Sequence, residues 1–126
     1  MKSLKATTKK TSLNPKLGQE TLEDLMKFIN DLKLMDVVKI SLLGKSKEAD
    51  YMVIASGSSV RLVVSSAEKV VQYLKENHKI FSRTEGLSGG DWVLIDAGDI
   101  IIHLFRPEVR DYYQLEKMWQ DPQVPQ

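Results

Sequence analysis

The sequence predicts an α/β domain in which a small mixed β-sheet of about five strands is flanked by helices. Two observations predict it: stretches with apolar residues at helical spacing alternate with short β-branched runs, and glycines or charged turns separate these runs. The predicted order is helix, strand, strand, helix, short strand, strand, strand, helix. A chain of 126 residues with 42% apolar residues can bury one core, so we expect a single domain over residues 19–120.

The first predicted helix follows Thr21, which can cap it. Its apolar face is formed by Leu22, Leu25, Met26, Ile29 and Leu32. Two strands follow, at 37–43 and 50–56, and each ends at a glycine. The charged segment KSKEA between them is predicted to be a turn.

The second predicted helix begins directly after Gly57, where Ser58 or Ser59 can cap it, and ends near Asn77. Its apolar stripe is Val60, Val63, Val64, Ala67, Val70, Val71 and Leu74. A short, weak strand is expected within 79–85. If that strand runs parallel to the strand before the helix, the crossover between them should be right-handed.

The last third predicts a hairpin and a closing helix. The loop GLSGG precedes strands 92–96 and 100–105, and Gly98 can adopt the left-handed conformation that such a turn commonly needs. Pro107 suits the first turn of a helix. That helix carries Val109, Tyr112, Tyr113, Leu115, Met118 and Trp119.

Charge is distributed unevenly along the chain. Residues 1–18 lack periodicity and are predicted to be a disordered basic tail, and residues 121–126 to be a loose end. Residues 1–19 hold five lysines and no acid, whereas the rest holds 13 basic and 17 acidic residues, a net charge of −4. A body of that sign favours a basic protein partner over a phosphate backbone. Nucleic acid is therefore expected only incidentally, through the basic tail.

Several classes of protein and site are disfavoured by composition. The chain has no cysteine, which excludes disulfides and thiolate metal sites and allows a reducing compartment. No apolar run reaches the roughly 18 residues of a membrane span, and no hydrophobic segment follows the first lysines, so no secretory signal is expected. Two dispersed histidines make a poor metal set. We expect a cytoplasmic protein without metal or cofactor.

The turn Gly57-Ser58-Ser59 resembles the glycine-serine turn of nucleotidyltransferases. In that position, after a strand and before a helix, backbone amides can hold a phosphate. Nucleotidyl transfer also needs a pair of metal-binding carboxylates shortly afterwards, and the next acid is Glu68, inside the predicted helix. Simple helix capping is therefore favoured over a bound anion.

The hairpin concentrates acids and aromatic residues. Asp96 and Asp99 flank its turn and can either share acid–base work or, as is favoured for Asp, stabilise the turn. His103 is expected to be structural or part of an interface. Five of the nine aromatic residues fall within 28 residues, at Trp92, Phe105, Tyr112, Tyr113 and Trp119. Each is individually favoured as core, but as an acid-bordered group they favour a protein interface.

The stretch GLSGGDWVLIDAGDIIIHLFRPEVRDYYQLEKMW, residues 86–119, resembles the ribosome silencing factor family, also called the Iojap-related family. The hairpin pattern, its His-x-Phe ending and the Pro-Glu-x-Arg-x-Tyr-Tyr-x-Leu-Glu-x-x-Trp helix agree in order and spacing. The segment DYMVIASGSSVR, residues 50–61, also matches, and the resemblance covers roughly residues 20–119. Leu62 departs from it, since many members carry His there.

The resemblance implies a binding protein without catalytic activity. Members bind the large ribosomal subunit through its L14-type protein, block association with the small subunit and repress translation when nutrients are short, and organellar relatives assist large-subunit assembly. The fold is implied to be nucleotidyltransferase-like without the catalytic carboxylates. The implied partner-binding residues are Trp92, Asp96, Gly98, Asp99, His103, Phe105, Tyr113 and Leu115. A nucleotide-binding enzyme that uses Ser58, and a generic homodimeric adaptor, remain the alternatives.

Overall fold

The computed structural model describes residues 15–119, with side-chain environments for residues 18–118. Within that range, four helices and five strands follow the predicted order, except that two short helices replace the last one. The elements are α1 (Pro15–Asn30), β1 (Met35–Ser41), β2 (Tyr51–Ser56), α2 (Val60–His78), β3 (Arg83–Glu85), β4 (Trp92–Asp96), β5 (Ile100–Phe105), α3 (Pro107–Tyr113) and α4 (Leu115–Trp119). The predicted α/β class is confirmed.

The five strands form one mixed sheet in the order β1-β2-β5-β4-β3. The central strands β2 and β5 are parallel, with Val53 opposite Ile102, and the other neighbours are antiparallel. The predicted hairpin is confirmed with its bounds, and it places Trp92 opposite Phe105 at its open end. Strand β3 pairs only with β4. It therefore runs in the same direction as β2 but is separated from it by two strands.

Side chains alternate between two packed faces of the sheet, as the pattern of β5 predicts. The larger core lies under α1 and α2, and there Ile100, Ile102 and Leu104 are buried against helix residues such as Leu25 and Val70. Burying each such side chain contributes about 1.5–3 kcal/mol. The smaller core lies on the opposite face and includes Met52, Ile54 and Phe105, with Val109 and Leu115 packed against it.

Helix α2 begins after Ser59, one of the two predicted caps. The Ser59 hydroxyl accepts the Leu62 backbone N–H at 3.0 Å, from an extended backbone. This bond satisfies one of the free amides of the first turn. The helix ends one residue beyond the expected Asn77, where Lys79 adopts a left-handed conformation. The favoured capping role of this turn is thus confirmed.

Helix α1 begins at Pro15, six residues before the predicted cap. Residues 15–18, assigned above to the disordered tail, therefore belong to a helix, and Thr21 lies inside it. The missed signal is Pro15 itself, because proline is suited to the first turn of a helix. The predictions for residues 1–14 and 121–126 lie outside the described residues.

Three further predicted boundaries were wrong. Strand β1 spans Met35–Ser41 and not 37–43, and a bulge at Asp36 (φ 51°) shifts its register against β2. The last helix is broken at Gln114, which adopts a left-handed conformation (φ 48°, ψ 46°). Of the predicted segment 79–85, only Arg83–Glu85 is a strand.

We expect Gly86→Ala to destabilise the fold. Gly86 has φ +91°, and an added Cβ would lie 2.1 Å from the carbonyl oxygen of Trp92. Strain and overpacking together should cost about 2 kcal/mol or more. Urea unfolding would measure this loss of stability.

Gly89→Ala is the matched control for this substitution. An added Cβ at Gly89 would meet nothing within 4 Å, so its unfolding midpoint should stay close to that of the wild type. Equal midpoints for the two variants would contradict the close approach of Gly86 to Trp92.

Candidate functional site

Five rings form one aromatic cluster at the open end of the β4–β5 hairpin and on α3: Trp92, His103, Phe105, Tyr112 and Tyr113. Trp92 is its centre. The ring centroids of Phe105 and Tyr113 each lie 4.9 Å from that of the indole, and that of His103 lies at 5.9 Å. These tilted contacts are favourable for aromatic pairs. The hairpin register and the start of α3 at Pro107 bring these rings together.

A part-buried hydrogen bond holds the indole in place. Trp92 Nε1–H donates to His103 Nδ1 at 2.9 Å, so the neutral imidazole carries its proton on Nε2. Only 8% of His103 is exposed, and burial lowers the pKa of the ring to about 4. His103 is therefore uncharged near neutral pH, and it supports Trp92 as a structural acceptor.

The outer part of the aromatic cluster is open to solvent. Tyr112 is 80% and Tyr113 53% exposed, and nearby on α4 Met118 is 70% exposed. Phe105 has no exposed surface, so its implied role as a partner contact is corrected to that of a support beneath Trp92. Leu115 is half-buried and packs on the smaller core. The Trp119 side chain lies outside the described residues.

The turn residues lie apart from this cluster, at the other end of the hairpin. From Trp92 to Asp96 the strand extends about 13 Å, so the turn residues do not touch the indole, although Asp96 lies on the same face of the sheet as Trp92 and Leu94. Asp96 Oδ1 accepts the Gly98 N–H at 3.0 Å, which confirms the turn role favoured for it. The Asp99 carbonyl accepts the backbone N–H groups of Asp50 and Tyr51. These residues organise the turn and the adjoining end of β2.

Carboxylates border the aromatic cluster. The Arg106 side chain bonds Asp91 at 2.9 Å and Glu108 at 2.7 Å. The single guanidinium of Arg106 thus pairs with two exposed carboxylates. Asp111, which is exposed on α3, is the third acid of this border. The border is acidic on balance, and it lies beside exposed rings.

Arg110 is a structural residue that the sequence reasoning missed. It is 7% exposed, and its Nη1 donates to the carbonyl of Asp36 at 2.8 Å and to the Ser56 hydroxyl at 2.9 Å. Its Nε and Nη2 reach the Glu116 carboxylate at 3.2 and 3.1 Å. The left-handed corner at Gln114 turns α4 back so that this ion pair can form. Arg110 therefore ties α3 and α4 to the ends of β1 and β2. The signal was present, since an arginine belongs to the helix motif quoted above.

Two general properties of the described residues complete the site. Within residues 15–119, no three His, Cys, Asp or Glu side chains are grouped so that they could hold a metal ion. None of the helices in that range has the length and apolar character to cross a membrane.

Replacing Arg110 by Met should destabilise the protein by about 3 kcal/mol, because the substitution leaves the half-buried Glu116 and the Ser56 hydroxyl without their donor. Chemical unfolding would measure the loss. Arg106→Met is the control, since its pairs are at the surface and should contribute under about 1 kcal/mol. Equal losses in the two variants would refute the structural role of Arg110.

His103 should make stability depend on pH. The pKa is about 4 in the folded protein and about 6.5 in the unfolded chain. Above pH 6.5 both states are neutral at this position. As pH falls from 6.5 to 4 only the unfolded state takes up the proton, so stability drops by about 3 kcal/mol in total. His103→Gln retains an acceptor for the indole and removes this titration. The wild type should therefore lose more stability than the variant between pH 7 and pH 4.5, and parallel losses would contradict the buried neutral ring.

Comparison with known proteins identifies the family. The family model described as "Ribosomal silencing factor during starvation" matches residues 15–126. The ribosomal silencing factor RsfS of Zymomonas mobilis is 49% identical over 109 residues, which cover 86% of this chain and 80% of that protein. A mouse protein named for mitochondrial assembly of the ribosomal large subunit is 32% identical and covers 78% of this chain and 44% of its own length. A crystal structure of a Chromobacterium violaceum protein superposes with a TM-score of 0.77 at 34% identity, over 82% of this chain and 88% of that one. The chain belongs to the ribosomal silencing factor family.

Proposed function

We propose that this protein binds the large ribosomal subunit through its L14-type protein and sterically blocks association with the small subunit, which represses translation in the cytoplasm. The observation that carries the proposal is the exposed aromatic cluster on α3, seated on Trp92 and bordered by carboxylates. Exposed tyrosines supported by a half-buried tryptophan are typical anchors of a protein interface. Membership of the family supports a ribosomal partner.

The charge of the surface suits such a partner. Ribosomal proteins are basic as a class, and an acidic border steers and orients a basic surface. The apolar rings supply contact area on docking. Steric blocking needs only affinity and bulk at the subunit interface, so this function requires no reactive group. We propose accordingly that the protein is not an enzyme.

The contacts of Asp91 and Asp96 favour a binding protein over an enzyme with nucleotidyltransferase-like activity. Asp96 is engaged in its own turn, and Asp91 pairs with Arg106. The two are therefore not a free pair of metal ligands. A thermal-shift titration with magnesium and nucleoside triphosphates should leave the melting temperature unchanged, and stabilisation by any of them would favour the enzyme.

A role in large-subunit assembly is the second candidate. The name of the mouse relative supports it, and the same surface would serve both roles, since each requires binding to the large subunit. Sucrose-gradient profiles of a deletion strain would separate them. Accumulated large-subunit precursors would indicate assembly, whereas mature subunits that join more readily under starvation would indicate silencing.

Tyr112→Ala should weaken binding to purified large subunits by about tenfold or more, as expected for an interface anchor. Because Tyr112 is 80% exposed, its loss should leave the unfolding midpoint close to that of the wild type. Co-sedimentation with separated large and small subunits measures the effect.

Phe81→Ala is the matched control. Phe81 is 73% exposed but lies before β3, remote from the aromatic cluster, so its loss should not affect binding. Failure of the wild type to pellet with large subunits at low salt would refute the proposal. If Tyr112→Ala and Phe81→Ala weakened binding to large subunits equally, the aromatic cluster would not be the binding surface.

A further inference from the structure

A cavity of about 310 Å³ lies beside the aromatic cluster and is lined by Glu85, Gly86, Trp92, Leu94 and His103. Trp92 and Leu94 alternate with buried Val93 and Ile95, so both point to the face of the sheet opposite α2. Glu85 on the edge strand β3 is directly opposite Leu94. The cavity is thus formed by side chains of the paired strands β3 and β4.

The glycine at position 86 allows this edge to close. Its positive φ brings the chain against the Trp92 carbonyl, where a side chain would not fit. At Gly86 the cavity is therefore bordered by backbone without a side chain. The indole is fixed at its other side by the hydrogen bond to His103. Both walls are accordingly held before any ligand arrives, which lowers the entropic cost of binding.

The charge of the cavity is unbalanced. Among the ion pairs formed by residues 15–119, none includes Glu85. Arg83 and Asp96 lie beside it in the adjoining pocket, and these three side chains together leave one net negative charge. His103 adds no positive charge, because its ring is buried and neutral. The cavity therefore combines a net negative charge at Glu85 with the apolar surfaces of Trp92 and Leu94.

We propose that this cavity receives an arginine side chain of the protein partner. The aliphatic stem would pack on Leu94, the guanidinium would stack on the Trp92 indole, and its N–H groups would donate to the Glu85 carboxylate. Arginine fits better than lysine because its planar fork both stacks on a ring and binds a carboxylate in bidentate fashion. The volume lies at the lower limit for small-molecule pockets, which suits one side chain. This inference rests on the proposed function and specifies the chemistry of its partner.

The test compares Glu85→Gln and Glu85→Lys with the wild type in binding to purified large subunits. We expect binding to weaken about tenfold or more for Glu85→Gln, as for loss of a charge-assisted hydrogen bond, and further for Glu85→Lys. Glu68→Gln is the control, since Glu68 is also exposed but lies on α2, on the other face of the sheet. Unchanged unfolding midpoints would show that both variants at Glu85 remain folded.

The second measurement identifies the partner's side chain. The isolated L14-type protein is treated with an arginine-selective dicarbonyl, and binding is measured for the wild type and for Glu85→Gln. We expect modification to weaken the wild type strongly and Glu85→Gln little, because the variant has already lost the shared interaction. Equal weakening of both would overturn the arginine assignment.

Failure of this inference is distinguishable from failure of the proposed function. A wild type that does not bind large subunits refutes both. A wild type that binds, is weakened by Tyr112→Ala and is unaffected by either substitution at Glu85 refutes only the arginine receptor.

Discussion

The fold depends on the central position of β5. This strand is paired along both edges, with β2 in parallel and β4 in antiparallel orientation, and both of its faces are packed. A strand in that position tolerates a polar side chain only if its hydrogen bonds are satisfied internally. His103 meets this condition at Nδ1, which accepts the indole N–H of Trp92. The same hydrogen bond fixes the indole at the centre of the candidate interface.

A second tie joins the surface to the sheet. Arg110 links the α3–α4 corner to a bulge carbonyl of β1 and to the last residue of β2. Neither α3 nor α4 is long enough to be stable alone, since helices of five to seven residues are marginal in water. The exposed tyrosines are therefore held by a buried guanidinium more than by the helix that carries them.

Local spacing predicted much of this fold. The hairpin bounds and the Ser59 cap followed from turn and capping chemistry that acts over four or five residues. The break at Gln114 did not, because it depends on an ion pair between Arg110 and Glu116 that only the folded chain brings together. Likewise the family pattern grouped Trp92 with Asp96, and only the structure shows that they share a face of β4 and lie about 13 Å apart. Phe105 was misassigned because alternation shows which face a side chain takes but not whether that face is covered.

The hydrogen bond of Trp92 has a consequence for recognition. The indole N–H is the only conventional donor of a tryptophan side chain. In this protein it already donates to His103 Nδ1. A partner therefore meets Trp92 purely as a polarisable carbon surface. Contacts of that kind depend on shape and area and have little directional demand. A binding surface centred on such a ring tolerates small shifts of the partner and exchange of its apolar residues, so selectivity must come from the charged groups around the ring.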